Sequence, residues 1–65
     1  MKINNIDLNI GDIINDNING VEIILKIEME KIILFHILFP RNDRKRKYSF
    51  FTVQESLRIG SIKKV

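Results

Sequence analysis

The segment that decides the fold is Asn19-Gly20-Val21-Glu22-Ile23-Ile24-Leu25-Lys26-Ile27-Glu28-Met29. Asn-Gly is a strong hairpin signal because both residues tolerate the positive φ angles of a type I′ turn. The residues that follow alternate between apolar and polar, which is the period of a strand with one buried face. We therefore predict a hairpin with a two-residue loop at Asn19-Gly20, in which Ile14 pairs with Leu25 and both lie on the buried face.

The composition favours strands over helices. Isoleucine makes up 14 of the 65 residues and alanine is absent, which suits β-branched strands better than a helix bundle. A chain of this length forms one small domain, residues 1–65, with a marginal core. It has no cysteine, so no disulfide supports the fold. Stability must therefore come from apolar packing, from self-association or from a partner.

Further segments complete the expected order of elements. The run at residues 32–39 is apolar at both strand parities, as in a central strand, and Pro40 ends it. The sequence Thr52-Val53-Gln54-Glu55 matches a capping box, which predicts one short helical turn over residues 53–57. A last short strand is predicted over residues 59–65.

These elements predict an all-β domain of about five strands with one short helical turn before the last strand. The order resembles that of an SH3-like barrel. Two segments are also similar to Sm-like RNA-binding proteins, which share that barrel: Asn19-Gly20 with residues 21–27, and Arg58-Ile59-Gly60-Ser61-Ile62. The resemblance implies the barrel fold. Residues 28–33 lack the Asp and Asn of the family's RNA-binding loop, so no RNA-site residue is transferred.

A basic segment follows the apolar run. Residues 41–47 carry five positive charges against one negative charge and are predicted to form a hairpin loop, with a strand returning at 48–51. The predicted binding residues are Arg41, Arg44, Lys45, Arg46, Lys47 and Tyr48. Arginine binds phosphate in a bidentate manner, so the loop fits a nucleic-acid backbone. An acidic protein surface would meet it equally well, and solvation of a hairpin tip also explains the charges.

The apolar run at residues 32–39 has more apolar side chains than the single core of this chain can bury. If the odd positions of residues 32–39 fill the core, the even positions face outward, and a residue of the preceding strand joins them. The predicted interface consists of Ile24, Ile32, Leu34, His36 and Leu38. We expect this strip to join copies of the chain as a homodimer or higher oligomer. The alternative is that the central strand coils and buries both parities within one chain.

Little in the sequence supports catalysis. His36 is the only imidazole, and no nucleophile or orienting carboxylate is predicted beside it. The pattern Asn15-x-Asn17-x-Asn19 imitates the start of a calcium loop, but the twelfth position holds Lys26 instead of a bidentate Glu. We therefore expect no enzyme activity, no metal site and no cofactor.

The sequence favours a non-enzymatic binding module whose basic loop contacts nucleic acid or another anionic partner. The alternative is a phage or mobile-element inhibitor of a host defence system, of the anti-CRISPR or anti-restriction type, that blocks a protein stoichiometrically. A small-molecule sponge at an oligomer interface is a third class. No apolar leader follows Met1 and no apolar run is long enough to span a bilayer, so we expect a cytoplasmic protein without membrane contact.

Overall fold

The computed structural model describes residues 1–65 and contains seven strands and one helix. The strands are β1 (Lys2–Ile3), β2 (Ile6–Asp7), β3 (Ile13–Asp16), β4 (Gly20–Met29), β5 (Ile33–Phe39), β6 (Arg44–Ser49) and β7 (Ile62–Lys64), and the helix is α1 (Phe50–Ile59). β1 and β2 form a two-stranded sheet, while the other five strands form an antiparallel sheet in the order β6-β5-β4-β3-β7. The prediction of a mainly β domain is confirmed.

The N-terminal hairpin β1–β2 is absent from the sequence prediction. Asn4 and Asn5 link its strands with φ angles of 52° and 66°, the left-handed conformation that a two-residue hairpin turn requires. Ile3 of this hairpin is buried in the core. The Asn4 side chain also donates a hydrogen bond of 3.0 Å to the Gln54 carbonyl, which ties the hairpin to α1.

The hairpin β3–β4 has a different register from the predicted one. Its turn contains three residues, 17–19, because the Asp16 carboxylate accepts hydrogen bonds from the backbone amides of Ile18 at 2.7 Å and Asn19 at 3.1 Å. Ile14 consequently pairs with Glu22 and not with Leu25. This shift covers an odd number of residues, so it exchanges the two faces of the strand relative to the prediction.

A register irregularity at Leu25 changes which side chains of β4 face the core. After it, the inward-facing side chains are again the predicted ones. The pairing with β5 shifts between Ile24 and Lys26, which leaves Leu25 as a β-bulge. Before the bulge Ile24 points into the core with no exposed surface, and after it Ile27 packs against the core. The prediction that Ile24 faces outward is therefore wrong, because the three-residue turn places it on the buried side.

The core lies against one face of the five-stranded sheet, which we call the inner face. It consists of nine apolar residues: Ile3, Leu8, Ile14, Ile24, Phe35, Ile37, Phe39, Val53 and Ile62. The predicted inward parity of β5 is confirmed, since its three buried residues alternate along the strand. Leu34, His36 and Leu38 lie on the opposite, outer face and are half-buried. Ile32 precedes β5 and is 62% exposed.

The helix is longer than the predicted turn and begins earlier. Its N-cap is Ser49, whose hydroxyl accepts a hydrogen bond from the Thr52 amide at 3.2 Å, so the prediction of Thr52 as the cap is wrong. Val53 is the residue of the helix that is buried in the core. Gly60 ends the helix in the left-handed conformation with φ 80°, and β7 therefore begins at Ile62, later than predicted.

Removal of the Ser49 hydroxyl, the observed N-cap, should destabilise the fold more than removal of the Thr52 hydroxyl, the predicted cap. Ser49→Ala removes the acceptor for the Thr52 amide and should lower the free energy of unfolding by about 1 kcal/mol. Thr52→Ala keeps that backbone hydrogen bond and should cost less, because alanine favours helix positions. Urea denaturation followed by circular dichroism measures both variants. A larger loss for Thr52→Ala would contradict the assignment of Ser49 as the cap.

Candidate nucleic-acid interface

The basic segment, residues 41–47, is mostly strand and not the predicted loop. Only residues 40–43 form the turn, in which Asp43 adopts a positive φ of 54° and the Asn42 side chain accepts a hydrogen bond from the Arg44 amide. The remaining basic residues form β6, which pairs with the apolar strand β5. Consecutive charged residues are tolerated here because β6 is an edge strand, where such residues also discourage pairing with other chains.

Strand geometry divides the basic residues between the two faces of the sheet. Arg44 pairs with Phe39 and Arg46 pairs with Ile37, and both partners face the core, so these two arginines lie on the inner-face side of β6. Lys45 pairs with Leu38 and Lys47 with His36, which places both lysines on the outer face. A loop would have presented all of these cations together, whereas the strand directs Arg44 and Arg46 to one face and Lys45 and Lys47 to the other.

None of the five cations of the basic segment takes part in an ion pair. The salt bridges of the chain use other basic groups, namely the N-terminus, Lys26, His36, Arg58 and Lys64. Of the five, Arg46 lies close enough to the Tyr48 side chain to offset part of the rise in the pKa of that phenol. Their charges are therefore not neutralised by an internal ion pair and are available to an anionic partner.

The arginines converge at a small cleft at the end of the sheet, which we call the arginine cleft. It is lined by Asn19, Phe39, Arg41, Asn42, Arg44 and Arg46 and has a volume of about 40 Å³. The guanidinium groups and the two carboxamides supply many N–H donors around one site. The Phe39 ring behind it packs edge-to-face against Tyr48, with ring centroids 6.4 Å apart. Donors of this kind match the oxygens of a phosphate group.

The lysines border a wider depression on the outer face, which we call the lysine groove. It has a volume of about 440 Å³ and is lined by Leu25, Lys26, His36, Ile37, Lys45, Arg46 and Lys47. Glu28 lies at its rim, with its carboxylate 3.8 Å from His36 Nε2 and 3.9 Å from Lys26 Nζ. The buried Nε2 atom of His36 has no hydrogen-bond partner.

Glu22 is a buried acid that sequence reasoning assigned to the solvent-facing side. Its side chain has no exposed surface, and neither carboxylate oxygen accepts a hydrogen bond. Burial, reinforced by the neighbouring Asp16 carboxylate, raises the pKa of Glu22 to about 7. Burial and the same two carboxylates raise the pKa of Tyr48. Only the observed register of β3–β4 reveals this cluster, because the sequence alternation places Glu22 among the polar positions.

The structure contains neither a metal-binding cluster nor a membrane-spanning helix. No group of three or more His, Cys, Asp or Glu side chains is arranged to hold a metal ion. The single helix of ten residues is too short to cross a membrane.

In comparisons with known proteins, no family model, no curated protein and no solved structure matches the chain. The geometry of the site alone therefore supports a functional interpretation.

Glu22 should make the stability of the fold fall as the pH rises. The raised pKa means that the folded state keeps the proton up to about pH 7, whereas the unfolded chain loses it near 4.5. Stability contributed by protonated Glu22 is therefore complete below pH 4.5 and is lost by about pH 7, at an upper cost of about 3 kcal/mol. Glu22→Gln should remove this part of the pH dependence and stabilise the protein at pH 8.

Urea denaturation of wild type and Glu22→Gln from pH 4 to pH 8 measures the difference. Glu30→Gln changes an exposed carboxylate and serves as the matched control, which should keep the wild-type profile. Parallel pH profiles for wild type and Glu22→Gln would show that Glu22 is ionised in the folded protein across this range.

Proposed function

We propose that the protein is a non-enzymatic binding module that contacts nucleic acid through residues 41–47. The observation that carries this proposal is the set of five cations without any internal ion pair, four of them on the edge strand β6 and Arg41 in the turn before it. Cations that are free in the isolated protein can neutralise phosphates and release the counterions of a nucleic acid. Cations already paired with carboxylates of the same chain would not neutralise phosphates or release counterions.

We also propose that the five-stranded sheet belongs to an SH3-like barrel. A helix immediately before the last strand, and the pairing of that strand, β7, with β3, support this arrangement. The proposal concerns the fold alone, and the ligand is inferred from the basic segment.

Within the basic segment, the arginine cleft is the proposed phosphate contact. Arg41, Arg44 and Arg46 reach one cleft from a turn and from alternate positions of β6. Guanidinium groups bind phosphate with two parallel hydrogen bonds, whereas a lysine ammonium acts as a point charge. Arginine substitution should therefore weaken binding more than lysine substitution at equal loss of charge.

The alternative function is the inhibitor of a host defence system, and one observation favours it. Exposed aliphatic side chains, including Val21 and Leu25, lie on the outer face beside the lysine groove. Such a surface suits a protein partner better than a phosphate backbone does. If the protein is this inhibitor, substitutions on the outer face should abolish binding to the blocked protein.

The arginine cleft can be tested with a matched pair of double variants on one strand. Arg44→Ala with Arg46→Ala removes two charges from the inner-face parity, and Lys45→Ala with Lys47→Ala removes two from the outer face. Charged hydrogen bonds contribute about 1.5 kcal/mol each or more, so the arginine double variant should bind about 100-fold more weakly. Its log–log salt slope should also fall by about 1.4 for single-stranded nucleic acid.

Fluorescence anisotropy with short labelled DNA and RNA oligonucleotides, over a series of salt concentrations, measures both quantities. The lysine double variant should lose less affinity because its charges act only from the opposite face. Two results would overturn the proposal: a wild type that binds no oligonucleotide at low salt, or equal losses in the two double variants.

A further inference from the structure

The outer face of the sheet carries an apolar surface that the chain does not cover, which we call the aliphatic patch. It consists of Ile13, Val21, Ile23, Leu25 and Leu38. Ile13, Ile23 and Leu38 form one row across β3, β4 and β5, because each pairs in register with the next. Ile13, Val21 and Leu25 are 42%, 48% and 39% exposed, which is high for aliphatic side chains in mid-sheet. No helix packs on this face, since α1 supplies Val53 to the inner-face core.

Lysines border the aliphatic patch on both sides. Lys45 and Lys47 of β6 and Lys26 of β4 form the lysine groove on one side. Lys63 of β7 pairs with Asn15, next to Val21, and forms the other side. The face as a whole therefore combines an aliphatic centre with positive flanks, and Glu28 is the acidic residue at one end of it.

We propose that the aliphatic patch, together with the lysines on its flanks, docks an acidic amphipathic helix of a partner protein. Neighbouring strands are about 4.8 Å apart, so the three strands of the patch span about 10 Å, which matches the width of a helix. Leucine-type side chains on one stripe of such a helix cover the aliphatic row, and carboxylates beside that stripe meet the lysines. Lysine stems also extend the apolar contact while their ammonium groups stay hydrated.

Two other occupants fit this face less well. Bases of a single-stranded nucleic acid stack on aromatic rings, but Phe35, Phe39 and Tyr48 all follow the inner-face parity. A second copy of the chain, packed face to face, would bring the lysines of one copy against those of the other, and like charges oppose such a contact. Charge complementarity therefore favours an acidic partner.

The probe is a synthetic helical peptide with leucines along one face and glutamates on both flanks of that face. We expect wild type to bind it with an affinity that weakens as salt is added. Val21→Ser with Ile13→Ser should lower the affinity at least about tenfold, because both side chains are about half exposed in the free protein and can be replaced without opening the core. Ile18→Ser is the matched control, since Ile18 is 87% exposed at a turn away from the patch.

The lysine double variant Lys45→Ala with Lys47→Ala should weaken peptide binding and reduce its salt dependence. Arg41→Ala with Arg44→Ala changes two residues of the arginine cleft that do not line the lysine groove. This variant should leave peptide binding unchanged, which separates this proposal from the nucleic-acid proposal. A peptide with lysines in place of the glutamates should not bind. Equal binding of the two peptides, or undiminished binding by the Val21/Ile13 variant, would overturn the proposal. Self-association of wild type that the same variant abolishes would assign the face to a second copy instead.

Discussion

The rest of the structure depends on the two hydrogen bonds that the Asp16 carboxylate accepts from the backbone amides of Ile18 and Asn19. They hold a three-residue turn where the Asn-Gly sequence alone favours a two-residue turn. The length of the turn fixes the pairing of Ile14 with Glu22. Because side chains alternate along a strand, this register decides which alternate side chains of β4 enter the core and which face outward.

Two unusual features follow from that register. Glu22 is carried into the core beside Asp16, where its charge is costly. Val21 and Leu25 are carried to the outer face, where they remain partly exposed. The bulge at Leu25 then restores the parity, so that the second half of β4 buries Ile27. The same turn thus accounts for a buried acid on one face and an aliphatic patch on the other.

Parts of the fold follow directly from the sequence. The apolar run at residues 32–39 predicts a central strand, and the structure places β5 between β4 and β6. The helix before the last strand is also predicted, but it begins earlier than predicted, with Ser49 and not Thr52 as its N-cap. The N-terminal hairpin has a signal in Asn4-Asn5, whose positive φ angles are tolerated by asparagine.

The candidate site is predicted in composition and not in arrangement. The cations of residues 41–47 are evident from the sequence, but their separation into an arginine cleft and a lysine groove requires strand geometry. Ile24 illustrates the limit, because its burial follows from the register that the three-residue turn sets, whereas the Asn-Gly signal favours a two-residue turn. Register and bulges depend on contacts between distant segments, which a local pattern does not contain.

The most direct test is the register of the β3–β4 hairpin in solution. Pairs that do not exchange backbone hydrogen bonds bring their Cα atoms to about 4.5 Å, so their α-protons give strong nuclear Overhauser contacts. With the three-residue turn, we expect contacts between the α-protons of Asn15 and Val21 and between those of Ile13 and Ile23. Contacts that instead place Ile14 opposite Leu25 would show a two-residue turn, and would contradict both the burial of Glu22 and the outward aliphatic patch.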